Sequence, residues 1–357
     1  MEVSNEQEDG QSRRGHCFAS RRVPPVRLSG AAMVCAMYSR SIGFALAVTV
    51  TGAAIAWFVL SGHRDASAEP NGPAHLRSAE PIVPLPAEPD LDDARVALGE
   101  RLFHDPRLSG SGTLRCSSCH DLGSNGASNV PRDLGDGGEL LAVNTPTVFN
   151  VGYSFRLGWE GRFRHLSEHA AALIENPLIM GVSLDEVVDR LRVDRELVAA
   201  FQRAYGRPVD RANLIDALVT FERSLVTPNA RFDSWLNGDP DALSEIEIEG
   251  YRLFKSTGCA SCHQGVALGA NLFQRQGVFE PLVPPPPDIV RVPSLRNIAA
   301  TAPYFHDGSA ATLAQAVRRM ARAQLNSSLA DDEVDKLVAF LGTLTGEYRG
   351  APVHPAP

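Results

Sequence analysis

The stretch "GTLRCSSCHDLG" (residues 112–123) holds two cysteines three positions apart, with a histidine directly after the second. This C-x-x-C-H sequence comprises Cys116, Cys119 and His120. A C-x-x-C pair occurs in zinc sites, in redox disulfides and where haem is covalently attached. The immediate histidine favours haem, because two thioethers hold the porphyrin edge while the next residue binds the iron.

The same pattern returns later in the chain. "STGCASCHQG" (256–265) contains a second C-x-x-C-H, and the pentapeptides "GERLF" (99–103) and "GYRLF" (250–254) precede the two motifs. Such internal repetition indicates a duplicated structural unit. A single zinc ion held by both pairs is the alternative, although the pairs are much further apart than in a zinc ribbon. The sequence therefore predicts two haem c groups, attached at Cys116, Cys119, Cys259 and Cys262, with His120 and His263 as iron ligands.

Composition narrows the possible partners and the location. The 357 residues carry a formal net charge of −8, and no basic run follows residue 65, which excludes nucleic acid and favours a basic protein partner. Residues 41–62 are uncharged, long enough to cross a bilayer and preceded by arginines in 1–40. They predict a membrane anchor, with a cleaved signal segment as the alternative. Both place the remainder in the periplasm, the anchored form at the inner membrane.

Helical periodicity dominates the exported part. Capping sequences at Ser183 and Ser244 predict helix starts, and apolar stripes predict helices over 211–226 and from Val334 to Leu344. No strand pattern of convincing length occurs. The predicted fold class is mostly α, with two cytochrome c-like helical domains, each around one covalently attached haem. The predicted segments are a Pro-rich linker (63–90), an N-terminal haem domain (91–240), a C-terminal haem domain (241–348) and a tail (349–357), with 233–244 as the interdomain connection.

Several motifs in one order resemble a known family. From Ala94 to Tyr348 the chain is similar to the bacterial dihaem cytochrome c peroxidases, which include the enzyme that matures the tryptophylquinone cofactor of methylamine dehydrogenase. The motifs are "ALGERLFHDPRLSGSGTLRCSSCH" (97–120), "NTPTVFNVGY" (144–153), "WEGR" (159–162), "FERSLVTPNARFDSWLNGD" (221–239), "GCASCHQG" (258–265) and "VPSLRNIAATAPYFHDGS" (292–309).

The resemblance implies a role for each haem. His120 would bind the iron of an N-terminal, peroxidatic haem, and His263 that of a C-terminal, high-potential electron-transfer haem. Met320 would be the second ligand of the latter, although its spacing alone fits helix packing equally well. Trp159 would lie between the haems as an electron relay.

The resemblance also implies one calcium ion between the domains. Asn144 and the carbonyl groups of Thr301 and Pro303 would be its ligands, and hard oxygen ligands suit calcium. His306 belongs to the same motif, and packing is the only role expected of it.

The departures from the family concern the peroxidatic site. Asp136 replaces a loop histidine that caps the iron, so the iron is expected to be open or water-bound without prior reduction. Ile179 replaces a distal glutamate and His169 a distal glutamine. Because peroxide cleavage needs a group that moves a proton, we expect His169 to act as the base. A solvated His169 is the alternative, and Glu175 and Glu168 are weaker candidates.

The sequence thus favours an enzyme that reduces hydrogen peroxide to water with electrons from a small cytochrome, a cupredoxin or a quinol. One alternative is a dihaem oxidase that attacks a protein or organic substrate through high-valent iron. Another is a dihaem electron carrier without turnover. A homodimer is expected from the family alone.

Overall fold

The computed structural model describes residues 80–283 and 288–356. The predicted segments 1–40 and 41–62, and the first part of the linker, lie outside this range. Within it, no helix is long and apolar enough to cross a membrane. The described part is mostly helical, as predicted, with two antiparallel sheets of two short strands each.

The elements follow in chain order. The helices are α1 (Asp93–Phe103), α2 (Cys116–Cys119), α3 (Leu166–Glu175), α4 (Leu184–Arg192), α5 (Arg195–Tyr205), α6 (Arg211–Ser224), α7 (Arg231–Leu236), α8 (Glu245–Ser256), α9 (Leu313–Leu325) and α10 (Asp331–Gly342). The strands are β1 (Phe273–Arg275), β2 (Ile289–Arg291), β3 (Glu347–Tyr348) and β4 (Ala351–Pro352), with Phe273 opposite Arg291.

The predicted helix starts are confirmed. The Ser183 hydroxyl accepts from the Glu186 amide at the start of α4, and Ser244 forms a capping box with Glu247 at the start of α8. The last helix was predicted to reach Leu344. It ends at Gly342, and Leu344 is buried just beyond it.

Each half of the fold has its own apolar core, and the two cores are built alike. In the first, α1 crosses α6 where Gly99 meets Ala217 and Phe221. In the second, α8 crosses α10 where Gly250 meets Lys336 and Phe340. Gly99 and Gly250 are the first residues of the repeated "GERLF" and "GYRLF". The repeat therefore encodes a close helix crossing ahead of each C-x-x-C-H motif.

Two predicted connecting segments are packed more closely than expected. Ile82 is buried and forms a bridge to Gly265, and Glu80 bonds to Tyr251 and Lys255, so the end of the predicted linker lies on the C-terminal core. Phe232, in α7, stacks against Trp235 and packs on Phe340. The segment predicted to connect the domains therefore starts within a helix of the C-terminal core.

Candidate functional site

The first C-x-x-C-H motif is held on the short helix α2. His120 follows the helix directly, and its Nδ1 lies 3.1 Å from the carbonyl oxygen of Gly126. A proton on Nδ1 donates to this carbonyl and leaves Nε2 free to bind a metal. Burial lowers the His120 pKa, so the ring is neutral, as iron ligation requires.

The second motif repeats this arrangement. Cys259–Ser261 form a 3-10 turn, and the Nδ1 of His263 lies 3.1 Å from the carbonyl oxygen of Leu268. Burial lowers the pKa of His263 to about 4. A phenylalanine from the preceding helix approaches each imidazole, with ring centroids 6.4 Å apart for Phe103 and His120 and 6.5 Å for Phe254 and His263.

Both motifs line one cavity of about 500 Å³. The four cysteines of the two motifs are unpaired, and across the described ranges no three His, Cys, Asp or Glu side chains converge as metal ligands. The alternative of one zinc held by both pairs is therefore wrong. At each motif, two thiols, a neutral imidazole with a free Nε2 and apolar neighbours fit a covalently attached haem group.

His169 lies on the wall of this cavity, together with Ile179. It projects from α3, and its ring centroid is 5.3 Å from that of Phe163. Burial, and then the charges of His120 and Arg291, lower the pKa of His169 to about 4. The imidazole of His169 is therefore neutral and faces the cavity, and its role as the base stays a prediction.

The carboxylates considered as substitutes lie elsewhere. Glu175 and Glu168 are both exposed, and neither lines the cavity. Glu175 Oε1 accepts a hydrogen bond from the amide of Leu184, so this side chain sits at the start of α4. Of the three side chains considered for proton transfer, His169 alone is therefore among the residues that line the cavity.

Asp136 is bonded to a neighbouring loop. Its Oδ2 accepts from the backbone amide of Ser111 at 2.6 Å, and its Oδ1 accepts from the Ser111 hydroxyl. Its own amide donates to the carbonyl of Ile179 at 2.9 Å. Asp136 is absent from the residues that line the cavity. Its carboxylate is thus held at the protein surface.

Trp159 is fixed from both domains. Its indole Nε1–H donates to the carbonyl oxygen of Asn144 at 2.8 Å, and its ring meets that of His306 edge to face with centroids 6.1 Å apart. The Asn144 amide donates to the carbonyl of His306 at 2.7 Å. His306 therefore packs against Trp159, and the indole lies on the cavity wall.

The remaining predicted site residues also line the cavity. Met320 does so from α9 and packs with Leu282 and Val283. Pro303 follows a cis peptide bond with Ala302, and Thr301 and Pro303 share the cavity wall with Asn144. The Asn144 side-chain amide donates to the carbonyls of Val130 and Pro131, each at 3.2 Å.

Two residues of the cavity were missed from the sequence. Glu222 lies in α6, where burial raises the pKa of its carboxyl to about 8, and its Oε2 accepts no hydrogen bond. Arg291 ends β2 and is 8% exposed. Glu222 stands in the quoted motif "FERSL", but a strand of three residues gives no periodicity that could single out Arg291.

Comparison with known proteins agrees with this geometry. The family model for di-haem cytochrome c peroxidase matches residues 93–241, and that for cytochrome c matches 248–345. A cytochrome c551 peroxidase of Nitrosomonas europaea is 41% identical over 290 residues, which cover 76% of this chain and 86% of the relative.

Two further relatives are similar over most of the chain. The methylamine utilization protein MauG of Methylorubrum extorquens is 33% identical over 85% of this chain and 94% of its own. The crystal structure of a MauG-like protein associated with microbial copper homeostasis matches with a TM-score of 0.66 and 29% identity, over 75% of this chain and 93% of the other. The chain belongs to the di-haem cytochrome c peroxidase family and is an oxidoreductase with two cytochrome c-type haem domains.

Proposed function

We propose that this protein reduces hydrogen peroxide to two molecules of water, consuming two electrons and two protons. The observation that carries the proposal is the single cavity that both C-x-x-C-H motifs share, with a neutral histidine on its N-terminal wall. Haem iron, when bound, supplies the redox centre at which the oxygen–oxygen bond is cleaved. The protein then has to position peroxide and move its protons.

His169 carries the proton transfer. A neutral imidazole can accept the proton of one peroxide oxygen and return it to the leaving oxygen, whereas the side chain of Ile179 cannot. The pKa of about 4 keeps His169 in its base form throughout the neutral pH range. The apolar surroundings of Ile179 and Met180 limit competition from bulk water for this proton.

Electrons enter through the C-terminal site. We assign Met320 as the second ligand beside His263, since both line the cavity and both belong to the C-terminal half of the chain. Trp159 is the relay towards His120, because its ring is immobilised by Asn144 and His306 at the junction of the two domains. A small cytochrome is the donor that the relatives suggest, with a cupredoxin or a membrane quinol as the alternatives.

A haem iron held by His120 would be open to peroxide before any reduction. Both carboxylate oxygens of Asp136 accept hydrogen bonds from Ser111, and its backbone amide donates to Ile179. These bonds keep the 134–140 loop away from the cavity. A carboxylate held in this way is not available as an iron ligand.

We also propose one calcium ion near Asn144, Thr301 and Pro303. An amide oxygen and two backbone carbonyls from opposite domains offer the hard ligands that calcium prefers. Export to the periplasm, anchoring through residues 41–62 and a homodimer complete the proposal.

A second candidate is oxidation of a protein or organic substrate. It is favoured by Ile179, which removes the carboxyl group expected beside peroxide, and by the similarity to MauG. The two candidates differ in the source of the electrons. A reduced cytochrome supplies them in the first case, and a separate oxidisable substrate supplies them in the second.

The test is steady-state peroxide consumption by the fully oxidised di-haem protein, with a reduced small cytochrome and no prior reduction. We expect turnover without a lag, two cytochromes being oxidised per peroxide. Negligible turnover with both haems present would overturn the peroxidase proposal. Consumption of peroxide that needs an added organic reductant would favour the second candidate.

A further inference from the structure

Among the residues that the structure describes, Arg291 is a buried cation without a carboxylate partner. Its side chain is held by one hydrogen bond, in which Nε donates to the carbonyl oxygen of Gly158 at 3.1 Å. Across residues 80–283 and 288–356 it forms no ion pair with Asp or Glu. Burial lowers the pKa of Arg291, but a guanidinium stays protonated in proteins.

Arg296, the other buried arginine of the cavity, has a partner for each of its guanidinium nitrogens. Arg296 is 1% exposed and bonds to the carboxylate of Asp233 at 2.7 Å. Its remaining nitrogens donate to the carbonyls of Val266 and Val83. Because a buried charge is costly unless paired, the contrast shows that Arg291 lacks an anion.

The cavity itself does not supply that anion. Among its described lining residues Glu222 is the single acid, and its raised pKa leaves it neutral near pH 7. The missing partner is therefore an anionic group of whatever fills the cavity. Haem c carries two propionates, and a guanidinium binds a carboxylate with two parallel hydrogen bonds.

The position of Arg291 selects one of the two haems. Its backbone N–H donates to the carbonyl of Trp159 at 2.9 Å, and its charge lies near enough to His169 to affect that imidazole. Both residues belong to the N-terminal domain, whereas Arg291 comes from a strand of the C-terminal half. The residue therefore reaches across the junction towards the His120 site.

We propose that Arg291 binds a propionate of the N-terminal haem and so clamps that haem to the C-terminal domain beside Trp159. Arg291 is a positioning residue, since it acts on the haem periphery and on the loop that carries the indole. Its positive charge opposes the extra charge that the iron gains on oxidation and raises the reduction potential of the haem. The inference rests on haem attachment at Cys116 and Cys119 and not on peroxide turnover.

The test is a redox titration of the di-haem protein followed by visible absorption, with electron paramagnetic resonance to assign each haem. R291Q removes the charge and R291K keeps it, whereas R252Q removes a charge from an exposed position on α8. We expect R291Q to lower the potential of the His120 haem, R291K to lower it less and R252Q to leave it unchanged. Equal shifts in R291Q and R291K, no shift, or a shift confined to the His263 haem would overturn the proposal.

A second measurement, resonance Raman spectroscopy of R291K, does not depend on whether R291Q folds. The propionate bending bands in the resonance Raman spectrum report hydrogen bonding to the haem carboxylates. Replacing the planar fork with a single ammonium in R291K should shift one of these bands in the N-terminal haem. Unchanged bands would show that Arg291 has another partner. A peroxidase defect with unchanged potentials and bands would count against the clamp and not against the proposed activity.

Discussion

Gly99 lies against the backbone of Ala217, so close that a Cβ atom at position 99 would overlap the Ala217 carbonyl oxygen and come within 2.6 Å of the Phe221 Cβ. The crossing of α1 and α6 therefore requires glycine. We expect G99A to lower the free energy of unfolding by about 1–3 kcal/mol or more, the usual cost of overpacking. Denaturant unfolding of the haem-loaded protein would measure it.

The matched control is Gly342, the last residue of α10, where an added Cβ meets no atom within 4 Å. G342A should be neutral or stabilising by about 0.5–1 kcal/mol, because alanine restricts the unfolded chain. If G99A and G342A had the same effect, the close crossing would not be the reason for the repeated glycine.

We expect Asp136 to determine whether the enzyme needs reductive activation. In D136H the bonds to Ser111 are lost and a residue that can bind iron enters the loop. We expect the oxidised variant to show a lag in peroxide turnover that disappears after reduction of the His263 haem, whereas the wild type shows none. D136N, which keeps an acceptor for Ser111, is the control. A D136H enzyme that turns over at once would show that the loop cannot reach the iron.

His169 should set the rate of peroxide cleavage. H169A is expected to lower kcat/KM for peroxide by about 10²–10⁴-fold, the usual contribution of a general base. I179E supplies the carboxylate that this chain lacks, so the double variant H169A/I179E should recover part of the activity. A double variant no faster than H169A, with intact haem spectra, would mean that position 179 does not reach the peroxide.

The pH profile follows from the lowered pKa of His169. The base form exists above about pH 4, so kcat/KM should be flat through the neutral range and fall as the pH drops through that value. An inflection near the ordinary histidine pKa of about 6.5 would instead indicate a solvated imidazole.

Met320 is expected to be the sulfur ligand of the His263 haem. M320L should abolish the long-wavelength sulfur-to-iron absorption band and lower the potential of that haem, because thioether ligation stabilises ferrous iron. Met180 is the control, since it also lines the cavity but packs in the N-terminal core. The band should persist in M180L, and its loss there rather than in M320L would reverse the assignment.

Much of the fold and half of the site were predictable because their signals are local. The C-x-x-C-H motifs, the caps at Ser183 and Ser244 and the stripe on α6 each depend on residues within a few positions of one another. The family resemblance assigned roles to His169, Trp159 and Met320, and all three line the cavity.

Long-range packing limited the rest. Glu175 ends a helix, and its direction is set by Leu184 at the start of the next one, nine residues later. The burial of Ile82 depends on its bridge to Gly265. That Arg291 has no carboxylate partner among the described residues becomes clear only in the fold, where Asp233 pairs with Arg296. None of these relationships has a periodic or spacing signal.

Glu222 makes stability depend on pH in an unusual direction. Burial raises the pKa of this carboxyl from 4.5 to about 8, so between these values the native protein holds a proton that the unfolded chain has released. The free energy of unfolding should therefore fall as the pH rises through this window and level off above about pH 8.

E222Q cannot ionise and should be less sensitive to alkaline pH than the wild type. The exposed Glu175 is the control, and E175Q should keep the wild-type slope in denaturant unfolding of the haem-loaded protein between about pH 5 and pH 9. Parallel slopes for E222Q and the wild type would mean that Glu222 is already ionised in the folded protein and has found a cation or a hydrogen-bond donor in the filled cavity.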